Sequence, residues 1–287
     1  HYAQPGGRYD PVRAATYFRK AGDAAALARV APEVAKAAIA AGKPDEALAA
    51  YRESGQPESA WAGPLAACYE KARRNPEAAV WYEKAGDAAK ARAQWQAAGA
   101  ASEKARDWRA ALEQYAKAGN AAGVKAANQG LGDAAIASKD YRGALERYEA
   151  AGKPESARKA MLALGKEAEA AADYAAALGW YDKAGDDYAA ARLRGTWARA
   201  LSEAGKHEEA AVLYDAAGDG WTAGEEREKA LEALYAARDF ARAYAYRKTW
   251  ENEGATESLI DAAIEADEAA EAERVLVADG MDRREAW

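Results

Sequence analysis

Histidine and cysteine are almost missing from this chain: His1, His207 and Cys68 are the whole supply in 287 residues. That scarcity removes the commonest agents of proton transfer, nucleophilic attack and metal binding. A zinc site takes about four Cys, His, Asp or Glu ligands, and one cysteine with two distant histidines supplies no familiar cluster. A lone cysteine forms no intramolecular disulfide and leaves the redox compartment open. The nearest thing to a phosphate loop, GLGD at Gly130, lacks the lysine of a P-loop. His207 stands at the offset that Trp108, Tyr141, Tyr174 and Phe240 occupy elsewhere, which predicts a packing residue at a helix start. No catalytic residue, metal or cofactor is expected.

Long apolar runs and long cationic stripes are missing as well. Without a charge-free apolar stretch of roughly 18 residues there is no transmembrane helix to expect. Without a basic stripe there is little to hold a phosphate backbone, so neither membrane nor nucleic acid is the expected partner. The chain opens at His1 with no apolar signal segment, and reads as a processed or excised piece of something longer. Net charge is −7, and from Glu251 to Trp287 there are 12 acidic residues against three arginines, a local −9 that leaves about +2 for everything before. Bulky aliphatics are few. Alanine dominates the apolar half of the composition, with only two phenylalanines and two methionines, while nine tryptophans and sixteen tyrosines supply most of the bulky packing. Alanine, leucine, glutamate, lysine and arginine favour helix, so the class is all-α.

What is present is a repeat. YEKAGD from Tyr82, YAKAGN from Tyr115, YEAAGK from Tyr148, YDKAGD from Tyr181 and YDAAGD from Tyr214 follow one another at 33 residues. FRKAGD from Phe18 and YRESGQ from Tyr51 precede them, with one interval of 31, and a worn copy reaches Arg247. Such a period marks one supersecondary unit copied and stacked. In the unit from Lys125 to Ala157, Asp140 is placed to cap a helix. Tyr141, Ala144, Leu145 and Tyr148 then form the i, i+3, i+4, i+7 stripe of an amphipathic helix. Gly152 ends it, and Pro154 opens the next. Asp87, Asn120, Asp186 and Asp219 stand where they can cap the incoming helix of other copies. Each unit is therefore expected to be two antiparallel helices, here called A and B.

Small residues recur at one point of helix A (Ala35, Ala66, Gly99, Gly132, Gly165, Ala198) and of helix B (Ala14, Ala47, Ala78, Ala111, Ala144, Ala177, Ala210, Ala243). They are expected to let helices pack at short range, with the tyrosine series from Tyr51 to Tyr214 in the core. Residues 1–9 read as an extension or linker, 10–253 as the array and 254–287 as a degenerate acidic cap, with Ala272, Leu276 and Gly280 echoing the repeat. The array opens with a B helix alone, carrying Asp10, Ala14 and Phe18.

The combination of Gly132, Ala144, Tyr148 and Ala151 resembles the tetratricopeptide repeat over nearly the whole chain, in about eight units. The period is 33 rather than about 34, and a glycine-aspartate turn replaces the proline at the unit's end. That AGD ending is similar to the helical solenoids of vesicle-coat and intraflagellar-transport proteins, and alanine-rich arrays like it occur in large bacterial signalling proteins. The resemblance implies a right-handed α-solenoid that binds protein. It implies either a scaffold holding a partner along a concave face, or a sensor arm docking on a covalently linked effector domain. Two columns of helix A line the inner groove in that family. Carried over, they read Arg29, Ala60, Ala93, Ala126, Lys159, Arg192, Glu225 and Lys36, Ala67, Ala100, Asp133, Lys166, Arg199, Glu232. The candidate partner-binding residues are thus Lys159, Lys166, Arg192, Arg199, Arg29 and Lys36, facing an acidic protein segment. The alternative is that Arg192 and Arg199 merely pair with Glu225 and Glu232. The asparagine and lysine clamp for C-terminal carboxylates is not reproduced: Asn75, Asn120, Asn128 and Asn252 are the only asparagines.

Overall fold

The computed structural model describes residues 10–250, 255–266 and 268–279, and among them there are seventeen α-helices, one 3-10 turn and no strand. The chain divides into two units, one up to Ala160 and the other from Met161 onward; this division falls inside a single helix, which the repeat pattern does not announce. In the first unit lie α1 (Pro11–Ala21), α2 (Ala24–Ala40), α3 (Pro44–Glu53), α4 (Ala62–Lys71), α5 (Asn75–Lys84), α6 (Ala88–Lys104), α7 (Trp108–Ala118), α8 (Ala121–Ala137) and α9 (Tyr141–Ala151). The division is in α10 (Pro154–Ala170). The second unit continues with α11 (Tyr174–Ala184), α12 (Asp187–Glu203), α13 (His207–Ala216), α14 (Gly220–Ala236), α15 (Phe240–Lys248), α16 (Ala255–Glu265) and α17 (Ala269–Ala278). Within each unit successive helices pack in series, as a helical-repeat solenoid requires.

Local chemistry sets the period. In the repeat built from α8 and α9, the A helix has 17 residues and the B helix 11. Asp140 Oδ1 accepts the Gly143 amide at 2.9 Å, so α9 starts there. Gly152, at φ 67°, stops it, and the amide of Lys153 closes back on the Tyr148 carbonyl at 2.9 Å. Asp87, Asn120, Asp186 and Asp219 cap α6, α8, α12 and α14 as their positions predict. The turn from A to B uses a second left-handed residue: it is glycine at Gly42 and Gly205, whereas Arg73, Arg106, Lys139, Ala172 and Arg238 take φ of 58–62° in the other repeats. The one shortened interval has its own cause. After Gly55, Pro57 leads into a 3-10 turn (Glu58–Ala60), and α4 is only 10 residues long. Trp61 fills the gap, its ring stacked on Tyr51 with centroids 5.0 Å apart.

The core is a row of tyrosines seated on small residues. A methyl group at Gly132 would stand 2.8 Å from the Tyr148 ring, one at Gly165 2.7 Å from Tyr181, and one at Gly99 2.6 Å from Tyr115. In these three repeats the ring stands where a Cβ would be, so glycine holds the seat. Ala35, Ala66 and Ala198 occupy the same offset and are fully buried. On the B helices Ala47, Ala78, Ala111, Ala144, Ala177, Ala210 and Ala243 are all 0% exposed. Two members of the series depart from expectation. Ala14 is half-buried, and its neighbour Ala15 takes the core position of α1; Tyr214 is half-buried. The terminal pair α16 and α17 buries Leu259, Ala263, Ala272 and Leu276 against Phe240 and Tyr244 of α15. Asp279 ties it down by accepting from the Tyr244 hydroxyl at 2.9 Å and from Lys248 at 2.7 Å. Residues 1–9, Asn252 and Gly280 lie outside the described residues.

Candidate partner-binding surface

The tyrosine series is polar at one end, and that end leads to the A-helix surface. Glu70, Glu103 and Glu169 stand 12 residues before Tyr82, Tyr115 and Tyr181, in the last turns of α4, α6 and α10, and accept their hydroxyl protons. In α8 this offset is Ile136, so Tyr148 turns to Asp133 at 2.7 Å instead. Burial first, then the hydrogen bond to a carboxylate, pushes these four phenols up to about 12. These carboxylates are therefore committed to the tyrosine series, Asp133 of the inner column among them. Removing the hydroxyl in Tyr181→Phe is expected to cost about 1 kcal/mol. Tyr214→Phe is expected to cost far less, since Tyr214 has no such partner among the described residues. Urea denaturation followed by circular dichroism separates the two.

Glu169 of α10 binds one of the candidate cations of the second unit. The Arg192 guanidinium of α12 reaches back across one repeat and donates to both its oxygens, at 2.8 and 2.7 Å. That bond chiefly holds the Glu169 carboxyl below its ordinary range; burial opposes it, and the Tyr181 hydroxyl and the nearby Lys166 charge add to it. The alternative pairing of Arg192 with Glu225 is not the one formed, since Arg192 bonds to Glu169. Arg192 is committed to the preceding repeat, because the A helices of neighbouring repeats touch at an interval of 23 or 24 residues rather than 33. Ser202 of α12 donates to Glu226 of α14 at 3.0 Å by the same offset. Arg199 makes no ion pair with Glu232 among the described residues, and neither Lys166 nor Lys159 has one; all four are exposed. In the first unit Arg29 is exposed, and Lys36 is drawn to Glu33 of its own helix at 2.9 Å. Lys159, Arg29 and Lys36 belong to the first unit, so the cations gathered in one unit are Lys166, Arg192 and Arg199.

Two residues that composition assigns to packing lie on this surface instead. Tyr188 is 81% exposed and Trp221 75% exposed. Each is in the first turn of its A helix, one turn ahead of Arg192 and Glu225, and they are one repeat apart. The sequence signal was available: Ala89, Ala122 and Glu155 hold that offset in other repeats, so an aromatic there is a departure from the pattern.

His207 proves to be more than a packing residue. It opens α13 and its Nδ1 lies 2.7 Å from Glu226, whose side chain is 3% exposed and also accepts from Ser202 and from Lys229 at 2.7 Å. A cleft of about 380 Å³ opens beside it, lined by Lys206, His207, Glu209, Leu234 and Arg242 among others. Its charges are spent internally, Arg242 on Glu208 and Lys206 on Glu209. Among the described residues no three His, Cys, Asp or Glu side chains gather as a metal site requires, and no helix is long and apolar enough to cross a membrane.

No known protein family matches the chain, and no curated protein matches it. Among solved structures, a circular tandem repeat protein with novel repeat topology and enhanced subunit contact surfaces aligns with 93% of this chain at 14% identity and a TM-score of 0.14. The chain spans 61% of that protein's length. A superposition that poor carries no structural or functional argument, so the assignment of a helical-repeat fold rests on this chain's own geometry.

Proposed function

We propose that the chain is a non-enzymatic interaction scaffold, a helical array of tetratricopeptide type, that holds an acidic protein segment on its A helices. The observation that carries this reading is the exposed pair Lys166 and Arg199. They sit at equivalent positions of consecutive A helices, and neither makes an ion pair among the described residues, whereas Arg192 beside them is neutralised by Glu169. The small-residue seats support the tetratricopeptide comparison, and the scarcity of histidine and cysteine supports a role without chemistry.

A labelled oligo-glutamate peptide tests it. Lys166→Glu with Arg199→Glu is expected to weaken binding about tenfold or more at low ionic strength, with the helical signal unchanged. The difference is expected to shrink as salt rises, because the Debye length falls to about 10 Å at 0.1 M. Affinity unchanged by the double reversal would rule out this face as the binding surface.

A further inference from the structure

The second unit holds two copies of one arrangement that its first-unit counterparts lack. Neighbouring A helices lie side by side with an offset seen in two contacts, Glu169 with Arg192 at 23 residues and Ser202 with Glu226 at 24. Lys166 precedes Tyr188 by 22 residues, and Arg199 precedes Trp221 by the same 22. That interval sets each cation at the level of the aromatic side chain on the next A helix. By that offset Lys166 of α10 is level with the Tyr188 turn of α12, and Arg199 of α12 with the Trp221 turn of α14. On α12, Tyr188, Arg192 and Arg199 follow at helical spacing along one face, as Trp221, Glu225 and Glu232 do on α14. All six are exposed.

A cation next to an open aromatic ring recognises a carboxylate attached to a flat or apolar neighbour: the charge takes the oxygens and the ring takes the apolar side chain. Tyrosine, tryptophan and arginine are also the residues that dominate binding energy at protein interfaces. Successive A helices are about 8–10 Å apart, which is about three residues of a polyproline-II-like chain at roughly 3.1 Å each, a conformation that returns every third side chain to the same face. Beyond the second aromatic, Glu225 and Glu232 repel further acid and end the run.

We propose that α10, α12 and α14 form a two-subsite surface for an extended peptide segment that repeats an acidic residue followed by an aromatic or apolar one every third position. The subsites are Lys166 with Tyr188 and Arg199 with Trp221. This rests on the reading of the A-helix face as the binding surface and adds the partner's sequence pattern to it.

Four labelled synthetic peptides test the proposal by fluorescence anisotropy on the whole chain. One consists of Asp-Tyr-Gly triplets, one has the same composition with the aspartates and tyrosines in separate blocks, one consists of Asp-Ala-Gly triplets, and one of Lys-Tyr-Gly triplets. The Asp-Tyr-Gly peptide is expected to bind about tenfold tighter than the other three, and Tyr188→Ala with Trp221→Ala is expected to remove that advantage. Both side chains are exposed, so the variant is expected to keep the parent's helical signal and melting temperature. Equal affinity for triplets and blocks would overturn the proposal, as would an Asp-Tyr-Gly affinity that ignores the double alanine variant. If Asp-Ala-Gly binds as tightly and is lost only in Lys166→Glu with Arg199→Glu, the two-subsite proposal fails and the acid-binding reading stands. Binding indifferent to both double variants overturns both.

Discussion

Ala177→Leu is expected to lower stability by about 1–3 kcal/mol, the usual cost of forcing extra methylenes into a filled core. Ala177 is 0% exposed and packs with Tyr181, Ala190 and Leu193, so an isobutyl group has nowhere to go without moving a ring or a helix. Ala144→Leu meets the same difficulty against Tyr148, Ala157 and Ala160 in the first unit. Exposed Glu149 is the control, where alanine is expected to change stability within about 0.5 kcal/mol. A pair of glycines sharpens the test, because both lie in helix interiors, where alanine is intrinsically better by about 1 kcal/mol. Gly179 has open space around it, so Gly179→Ala is expected to stabilise by roughly that amount. At Gly165 the added methyl would lie 2.7 Å from the Tyr181 ring, so the sign is expected to reverse. Denaturant midpoints measure all five variants, and equal effects at Gly165 and Gly179 would show that the tyrosine seat does not exist.

His207→Ala is expected to cost about 1–3 kcal/mol, the range for leaving a buried acceptor short of a partner. The acceptor is Glu226, which bridges α12, α13 and α14 through Ser202, His207 and, on its own helix, Lys229. Lys229→Ala is expected to stay within about 1 kcal/mol, since its side chain is 49% exposed and water replaces it readily. The pH dependence has a definite sign. Burial raises the Glu226 pKa, but the hydrogen bonds from Lys229, His207 and Ser202 together outweigh it and leave the group below its ordinary 4.5. A carboxylate depressed in the folded state contributes stability in full above its unfolded value, and the contribution is lost as pH falls through the folded value. The gap in melting temperature between the parent and Glu226→Gln is therefore expected to be constant near neutrality and to close on the acid side of 4.5. Equal costs at His207 and Lys229, or a gap that persists in acid, would remove Glu226 as the fastener between these helices.

The candidate surface was only partly legible in the sequence. Lys166 and Arg199 are exposed on A helices as the column positions predict. For Arg192 the alternative partner Glu225 does not hold, because a column at 33-residue spacing assumes that equivalent residues of neighbouring repeats meet. In the second unit they do not: the carboxylate that Arg192 reaches is Glu169, 23 residues earlier. The same offset hid the level at which Tyr188 and Trp221 stand. Composition pointed the other way for those two, since nearly every other large aromatic in the array is packed.

Helix starts, helix stops and the pairing of A with B followed from the sequence alone. The reason is that each depends on a few consecutive residues: an aspartate accepting an amide three positions on, a glycine taking a left-handed turn, a stripe at helical spacing. The second left-handed turn gives no glycine signal in most repeats, because Arg73, Arg106, Lys139, Ala172 and Arg238 stand there and the backbone closure after helix A imposes φ near 60° on them. Which tyrosine meets which carboxylate, which arginine is consumed by the fold, and which aromatics face solvent were decided only in the tertiary structure. Those outcomes turn on how far one helix slides along its neighbour, a quantity set by the packing of Tyr148 on Gly132 and Tyr181 on Gly165, and no local pattern in the chain records it.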